Sequence, residues 1–398
     1  MSAPAVVVAP NPMRGHLDAP GVAAALARGV TGAAPDAEVL RLPLADGGDG
    51  TLDVVAAATG GTRRRVEVPD ALGRARATDW LRLGGTALVE SARCCGLAAL
   101  AGTPLDPLRS TSAGVGVAVA DAVRAGHREV LVGLGGTATV DGGAGALAAL
   151  GARFEDATGR SVPVTPGTLH EVVRVDLGPA RDLLAGVRLR FLADVSTTYS
   201  SNSARFGAQK GLGAAERPVA AAGMAHLVAL LARADPQGGP AELHERCAAP
   251  WWGAGGGIGV GLSAVAAATA TGGTLAVLAM ADPGGLVAGA DLVVTAEGVV
   301  DASTWTGKVP GAVAALRREH GRPTAIVAAR FEEEAGASGR DAAVHRHLLA
   351  PGGAATLPDR LAAAGAAVWR HHAARPRPPA TSTAPGTATT TSRNGSSG

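Results

Sequence analysis

A chain of 398 residues that is 47% hydrophobic can bury a large core, and its length predicts two or three domains. A formal net charge of +2 is too balanced for an electrostatic nucleic-acid or membrane footprint. Cys94, Cys95 and Cys247 provide neither a disulfide framework nor a CxxC metal site, which fits a reducing cytoplasm.

The opening residues lack the basic region and long apolar run of a signal peptide. Val6–Val8 reads as a buried strand. Asp18 then caps a helix with Pro20 in its first turn. Glu38–Leu42 reads as a second strand and leads into ADGGDGT. Arg64 to Ala92 alternates in short pieces, as in a β-meander. Ala113–Ala125 is predicted helical, Glu129–Leu134 a strand and Ala144–Leu150 a helix. The strand Val187–Val195 contains Asp194 near its end. Helices follow at Pro218–Arg233 and Ile258–Thr269. Between Trp251 and Ala281 there is no charged residue. Two glycine clusters interrupt that stretch, so it predicts a buried Gly-rich turn and a core helix rather than a membrane span. Asp291–Thr295 is a strand, Val309–His320 a helix, Thr324–Ala328 a strand and Pro358–Arg370 a last helix.

Strand–helix alternation at both ends argues for parallel α/β architecture, and the β-rich stretch between them for an inserted domain. Residues 375–398 are a Pro/Ser/Thr/Gly tail without the apolar residues to fold, predicted to be disordered.

Only two of the 36 basic residues are lysines, Lys210 in FGAQKG and Lys308 in TWTGKVP. Alanine and glycine dominate and the only isoleucines are Ile258 and Ile326, so the arginine excess reads as compositional bias. Lysine differs from arginine where a compact ammonium must meet a phosphate or a reacting oxygen. The two Gly-flanked lysines are therefore candidates for chemistry.

Ligand sites in open α/β sheets lie beyond the carboxyl ends of the strands. Four Gly-acid loops fall there. ADGGDGT offers Asp46 and Asp49 around Gly47 and Gly48. GLGGTATVDGGAG offers Thr137, Thr139 and Asp141, LADV offers Asp194, and TAEGVVD offers Glu297 and Asp301. Glycine-rich turns let backbone N–H groups approach a phosphate, and carboxylates hold Mg²⁺ or accept a hydroxyl proton. Each glycine pair alone is an ordinary tight turn and each aspartate an ordinary cap. Together with the lysines they indicate a phosphate-handling enzyme. Lys308 is followed by Val309 and position 302 is alanine, so no Walker A loop is present; the G-x-G-x-x-G spacing is also missing, and Ser91 and Ser112 lack a nucleophile elbow.

The motifs resemble those of the glycerate kinase family, which phosphorylates D-glycerate with ATP. VVVAPNPMRGHLDA is similar to IVIAPDSFKGSLSA, and APDAEVLRLPLADGGDGT to FPDAE…PxADGGEGT. VESARCCGL, around Glu90, matches IExAxxxGL, and DPLRSTSAGVGV matches DPLxTTSxGxGE. GGTATVDGGAGALAALG matches GGSATNDGGAGxxxALG, and FGAQKG matches FGPQKG. WWGAGGGIG matches GAGAAGGxG, and TAEGVVDASTWTGKVP matches TGEGRxDxQxxxGKxP. The resemblance runs from about Val6 to Ala329. It implies two α/β domains with the site in the cleft between them. One is a flavodoxin-like parallel sheet built from both chain ends (1–62 and 285–374), and the other an inserted mixed α/β domain (63–284).

The resemblance further implies a kinase using ATP and Mg²⁺ on a small hydroxy acid, cytoplasmic, with no nucleic-acid or membrane partner. Asp194, Lys210, Lys308 and Asp46 are the expected catalytic residues. Arg14, Gly47, Gly48, Asp49, Thr111, Ser112, Gly135, Gly136, Thr137, Asp141, Gly256, Gly257, Glu297 and Asp301 are the expected substrate and ATP contacts. Asp194 and Glu297 are the expected Mg²⁺ ligands. The chain departs from the family pattern at Asn11-Pro12-Met13-Arg14 (Asp-Ser-Phe-Lys), Val140 (Asn), Val299 (Arg) and Ser303 (Gln). Losing one charged hydrogen bond costs about 1.5–3 kcal/mol. The departures therefore leave open a paralogue that binds a ligand without turnover, or a kinase for a different hydroxy acid.

Overall fold

The computed structural model describes residues 3–13, 15–234, 239–332, 343–352 and 355–374. Arg14 and the tail 375–398 lie outside them. In chain order the strands are β1 Ala5–Val8, β2 Glu38–Arg41, β3 Thr62–Pro69, β4 Ala75–Leu83, β5 Thr86–Glu90, β6 Glu129–Gly133 and β7 Arg153–Glu155. They continue with β8 Arg174–Asp176, β9 Arg188–Ala193, β10 Ala267–Gly272, β11 Leu292–Val300, β12 Thr324–Phe331 and β13 Val344–Leu348.

Hydrophobic runs from opposite ends of the chain meet at the centre of the first sheet, where Val6, Val7 and Val8 pair in parallel with Leu292, Val293 and Val294. All six paired residues, five valines and one leucine, are buried, as both faces of a parallel sheet require. The strand order is β13-β12-β11-β1-β2 and every pairing is parallel. That is the flavodoxin-like order 2-1-3-4-5, whose switch point falls between β1 and β11. The second sheet runs β10-β9-β6-β5-β4-β3. It is parallel from β10 to β5 and antiparallel across β5/β4 and β4/β3. The arginines of β3 are exposed at its edge, where charge discourages edge-to-edge association. β7 and β8 form a separate antiparallel pair.

The two sheets share a helical layer. Helices Thr51–Thr59, Gly273–Ala281 and Val309–Glu319 bury Leu52, Val55, Val277 and Val313 against Val7 and Val293 of one sheet and Leu88, Leu131 and Leu192 of the other. Each such side chain contributes about 1.5–3 kcal/mol relative to exposure. Helices Ala19–Ala33 and Leu357–Ala373 cover the outer face of the first sheet and Ala113–Arg124 that of the second, with Ala144–Ala149 packed on Ala113–Arg124 and Glu216–Ala234 packed beside β8. The fold is thus mixed α/β with two α/β domains, as expected.

Local signals act as read. The Asp18 side chain accepts from Gly21 N at 2.9 Å at the start of Ala19–Ala33. One expectation is corrected. The predicted helix Ile258–Thr269 stops at Leu262, and Ala267–Gly272 is a strand paired along its whole length with β9. Gly259 and Gly261 weaken that helix, and Thr269 and Thr271 suit a strand, so tertiary pairing overrides alanine's helix preference. The core helix of the uncharged stretch begins later, at Gly273. No described helix is long and apolar enough to cross a membrane.

Candidate active site

The loop Asp46-Gly47-Gly48-Asp49 threads between the ends of the two sheets, and only glycine allows it to pass. Gly47 has φ +95°, and a Cβ there would lie 2.6 Å from Leu192 O. A Cβ on Gly135 would lie 2.3 Å from Gly48 Cα. The loop ends at the helix Thr51–Thr59, whose first N–H groups are taken by Glu90 at the end of β5. Gly50 N donates to Oε1 at 3.1 Å and Leu52 N to Oε2 at 2.7 Å. Burial pushes the Glu90 carboxyl up to about 7 despite these bonds.

One cluster forms on the second-sheet side of the loop. Asp49, Gly136, Thr137, Asp194, Asn202 and Lys210 line a cavity of about 120 Å³. Lys210 is 4% exposed; its Nζ donates to Thr139 O at 2.7 Å and Thr137 Oγ1 at 3.2 Å. Burial pulls its ammonium down from 10.5 to about 8, against the opposing pull of nearby groups that include Asp194 and Asp141. Asp194 and Asp49 meet over one turn: a Cβ on Gly135 would be 2.9 Å from Asp194 Oδ2, and one on Gly136 2.8 Å from Asp49 Oδ1.

A second cluster forms at the switch point of the first sheet. Asn11 follows β1 and donates from Nδ2 to Asp46 Oδ2 at 3.3 Å, while Gly48 N donates to Asp46 Oδ1 at 3.1 Å. Glu297 in β11 pairs with Lys308 Nζ at 3.0 Å and accepts from Thr304 Oγ1 at 3.0 Å. Burial raises the Glu297 carboxyl, Lys308 opposes that, and the charge of Asp46 adds to it. Asp301 caps the turn Ala302–Thr306, accepting from Ser303 N at 2.8 Å, and lies 3.9 Å from Lys308 Nζ. Lys308 itself starts the helix Val309–Glu319. Its N–H groups and dipole favour an anion.

The other expected residues stand behind these clusters. Asp141 is fully buried and accepts from Ser112 N and Oγ, Gly143 N and Gly145 N. Ser112 Oγ also accepts from Ala146 N, and Thr111 Oγ1 from Ala113 N. Gly256 and Gly257 pack against Thr139 and Tyr199. These residues shape the cavity wall from inside. Val140 is part of the core, and neither it nor Val299 nor Ser303 lines the cavity. A wider cavity of about 710 Å³, lined more by apolar than polar groups, lies between Pro12 with Gly15–Pro20 and the helix Thr51–Thr59; Asp49 borders it too. Among the described residues no three acidic, imidazole or thiol side chains gather as a metal site.

Three contributors went unread in the sequence. Glu90 sits in a quoted motif, and its strand-end position ahead of a Gly-rich loop was the available signal. Asn202, 1% exposed, donates from Nδ2 to Gly253 O, and its Oδ1 has no partner among the described residues. Nothing in its polar loop marks it. Trp251 has φ +77°, the only positive φ among described non-glycine residues. For a bulky side chain this costs about 1–3 kcal/mol.

The glycerate kinase family profile matches residues 6–372. Glycerate 2-kinase of Escherichia coli is 31% identical over 348 residues, 86% of this chain and 88% of that protein. Glycerate kinase of Bacillus subtilis is 30% identical, covering 83% and 86%. A solved structure described as glycerate kinase 2 from Salmonella typhimurium superposes with a TM-score of 0.74 at 31% identity, covering 93% of this chain and 98% of that one. The chain belongs to the glycerate kinase family.

Proposed function

We propose that this member of the family is a cytoplasmic ATP-dependent kinase that phosphorylates D-glycerate, at the 2-hydroxyl named for the Escherichia coli relative. The observation that carries the proposal is the buried Lys210 beside Asp194 in a small polar cavity that shares Asp49 with a larger, more apolar one. The small cavity suits a three-carbon hydroxy acid, and the larger lies in the size range of small-molecule and cofactor pockets, so it suits the nucleotide.

Phosphoryl transfer needs positioning and neutralisation of charge more than covalent help from the protein. Lys210 neutralises the transferring phosphate or the substrate carboxylate from one side, and Lys308 with the N-terminus of its helix from the other. The hydroxyl oxygen bonds to the γ-phosphorus, the bridging P–O bond breaks to release ADP, and Asp194 receives the hydroxyl proton. Asp46, fixed by Asn11 and Gly48 N, holds the loop that carries Asp49, and its charge acts on Glu297 of the Glu297–Lys308 pair. Of the expected metal ligands, Glu297 is already engaged by Lys308 and Thr304. Asp49, at the same turn as Asp194, would hold Mg²⁺ together with the substrate phosphates, for which one or two carboxylates suffice, and this leaves Asp194 to take the proton. When bound, the ion supplies charge neutralisation and alignment of the phosphates.

The test is ADP release with Mg-ATP and a panel of D-glycerate, L-glycerate, D-lactate and glycolate. D-glycerate is expected to give the highest kcat/KM, and Lys210→Met and Lys308→Met each to lower it about a hundredfold or more. Nucleotide binding without ADP release for any acid would instead support the non-turnover paralogue. Of the departures, Val140, Val299 and Ser303 lie off the small cavity while Pro12 lines the larger one, so the panel decides between turnover and the paralogue.

A further inference from the structure

The two lysine clusters sit on different sheets, so something must set their separation. Trp251 lies between them. The segment after it, Ala254 and Gly255, forms part of the wall of the Lys210 cavity. Its indole tip reaches the other cluster: a Cβ on Gly307 would be 2.6 Å from Trp251 Cη2, and one on Gly272 3.2 Å from the same atom. Gly307 immediately precedes Lys308, and Gly307 O accepts from Thr274 Oγ1 at 2.7 Å. The ring is therefore lodged against two glycine backbones, one of them the turn that aims Lys308.

The backbone makes this arrangement costly to keep. Trp251 holds φ +77°, a conformation that a side chain of this size adopts only when its surroundings impose it. The resembled motif GAGAAGGxG has glycine at this position, where the strain would vanish. A ring placed in a glycine conformation, with bare glycines where its tip lands, points to a role for the ring in this chain.

We propose that Trp251 is a positioning residue that fixes the Gly307–Lys308 turn relative to the Lys210 cavity. It holds Lys308 at the distance a shared phosphate requires. Its stem is part of the loop that walls one cluster, and its tip braces the other. The inference rests on the proposed phosphate role of Lys308. It also makes a statement about Lys308 itself that needs no activity to read.

The composition of the chain makes that reading direct, because Lys210 and Lys308 are its only lysines. Amine-selective acylation followed by mass spectrometry reports each separately. In Trp251→Gly, which relieves the strain and removes the ring, acylation of Lys308 should speed up several-fold while that of Lys210 stays unchanged. Trp251→Phe, which keeps a ring, should restore the slow rate. In steady state, Trp251→Gly should lower kcat for D-glycerate about tenfold or more with a smaller change in KM, as a slightly misplaced catalytic group does. Trp251→Phe should recover most of it. An unchanged Lys308 to Lys210 labelling ratio in a Trp251→Gly protein that keeps its thermal midpoint overturns the proposal. So does a Trp251→Phe protein as fast in labelling as Trp251→Gly. If the wild-type chain makes no phosphoglycerate, the kinase reading falls and the labelling ratio alone decides the role of Trp251.

Discussion

Lys210 is a cation held where a cation is costly. Its folded value of about 8 lies below its ordinary 10.5, so between those values the unfolded chain binds more protons than the native one. The sign follows. Its burial penalty is fully present below about pH 8 and is relieved as pH rises toward 10.5. Activity should run the other way, because the ammonium proposed to meet the phosphate is lost above about 8. We expect kcat/KM for glycerate to fall as pH rises through about 8, with no matching loss of thermal stability from this group. Lys210→Arg, whose guanidinium stays charged, should lack that alkaline limb whatever its absolute rate. A wild-type profile that stays flat through this range would remove Lys210 from the charge-bearing role. Both lysines were visible in the sequence because so few survive in an arginine-rich chain. The inward-facing use of Asp141 was not, since DGG reads the same whether its carboxylate faces a ligand or four neighbouring donors.

At the scale of elements, the crossing of helices Ala19–Ala33 and Leu357–Ala373 shows how much a single glycine can decide. A Cβ on Gly29 would lie 1.8 Å from Ala362 O, whereas one on Gly32, in the same helix, would meet nothing within 4 Å. Gly29→Ala should cost about 1–3 kcal/mol through overpacking. Gly32→Ala should be neutral or stabilising by about 0.4–1 kcal/mol. Chemical denaturation of the two variants side by side checks this; equal midpoints would contradict the close crossing. Helix starts such as Asp18-Ala19-Pro20 are legible because their signals are local. β10 is not, because Ala267–Gly272 becomes a strand only through β9, a partner about 80 residues earlier in the chain that a local reading cannot supply.

Across the whole molecule, the chain ends build one sheet and the middle the other, and a shared helical layer ties them into one body. We propose domain boundaries at 62/63 and 284/285, the first falling at the opening residue of β3, which leaves the helix Gly273–Ala281 of the inserted domain in that shared layer. The strand alternation at both ends made the parallel sheet readable. The shared layer was not, because Leu88, Leu131 and Leu192 look like ordinary strand residues until the second sheet is seen to face the first. The 46–49 loop runs between the two halves, with Asp46 turned to one cluster and Asp49 to the other. The account stands on both clusters serving one phosphoryl transfer. The most direct measurement is ³¹P NMR of purified protein with Mg-ATP and D-glycerate. The account predicts a phosphomonoester resonance of 2-phosphoglycerate growing in step with ADP. ATP left intact, or hydrolysed to inorganic phosphate with no phosphoglycerate, would contradict it.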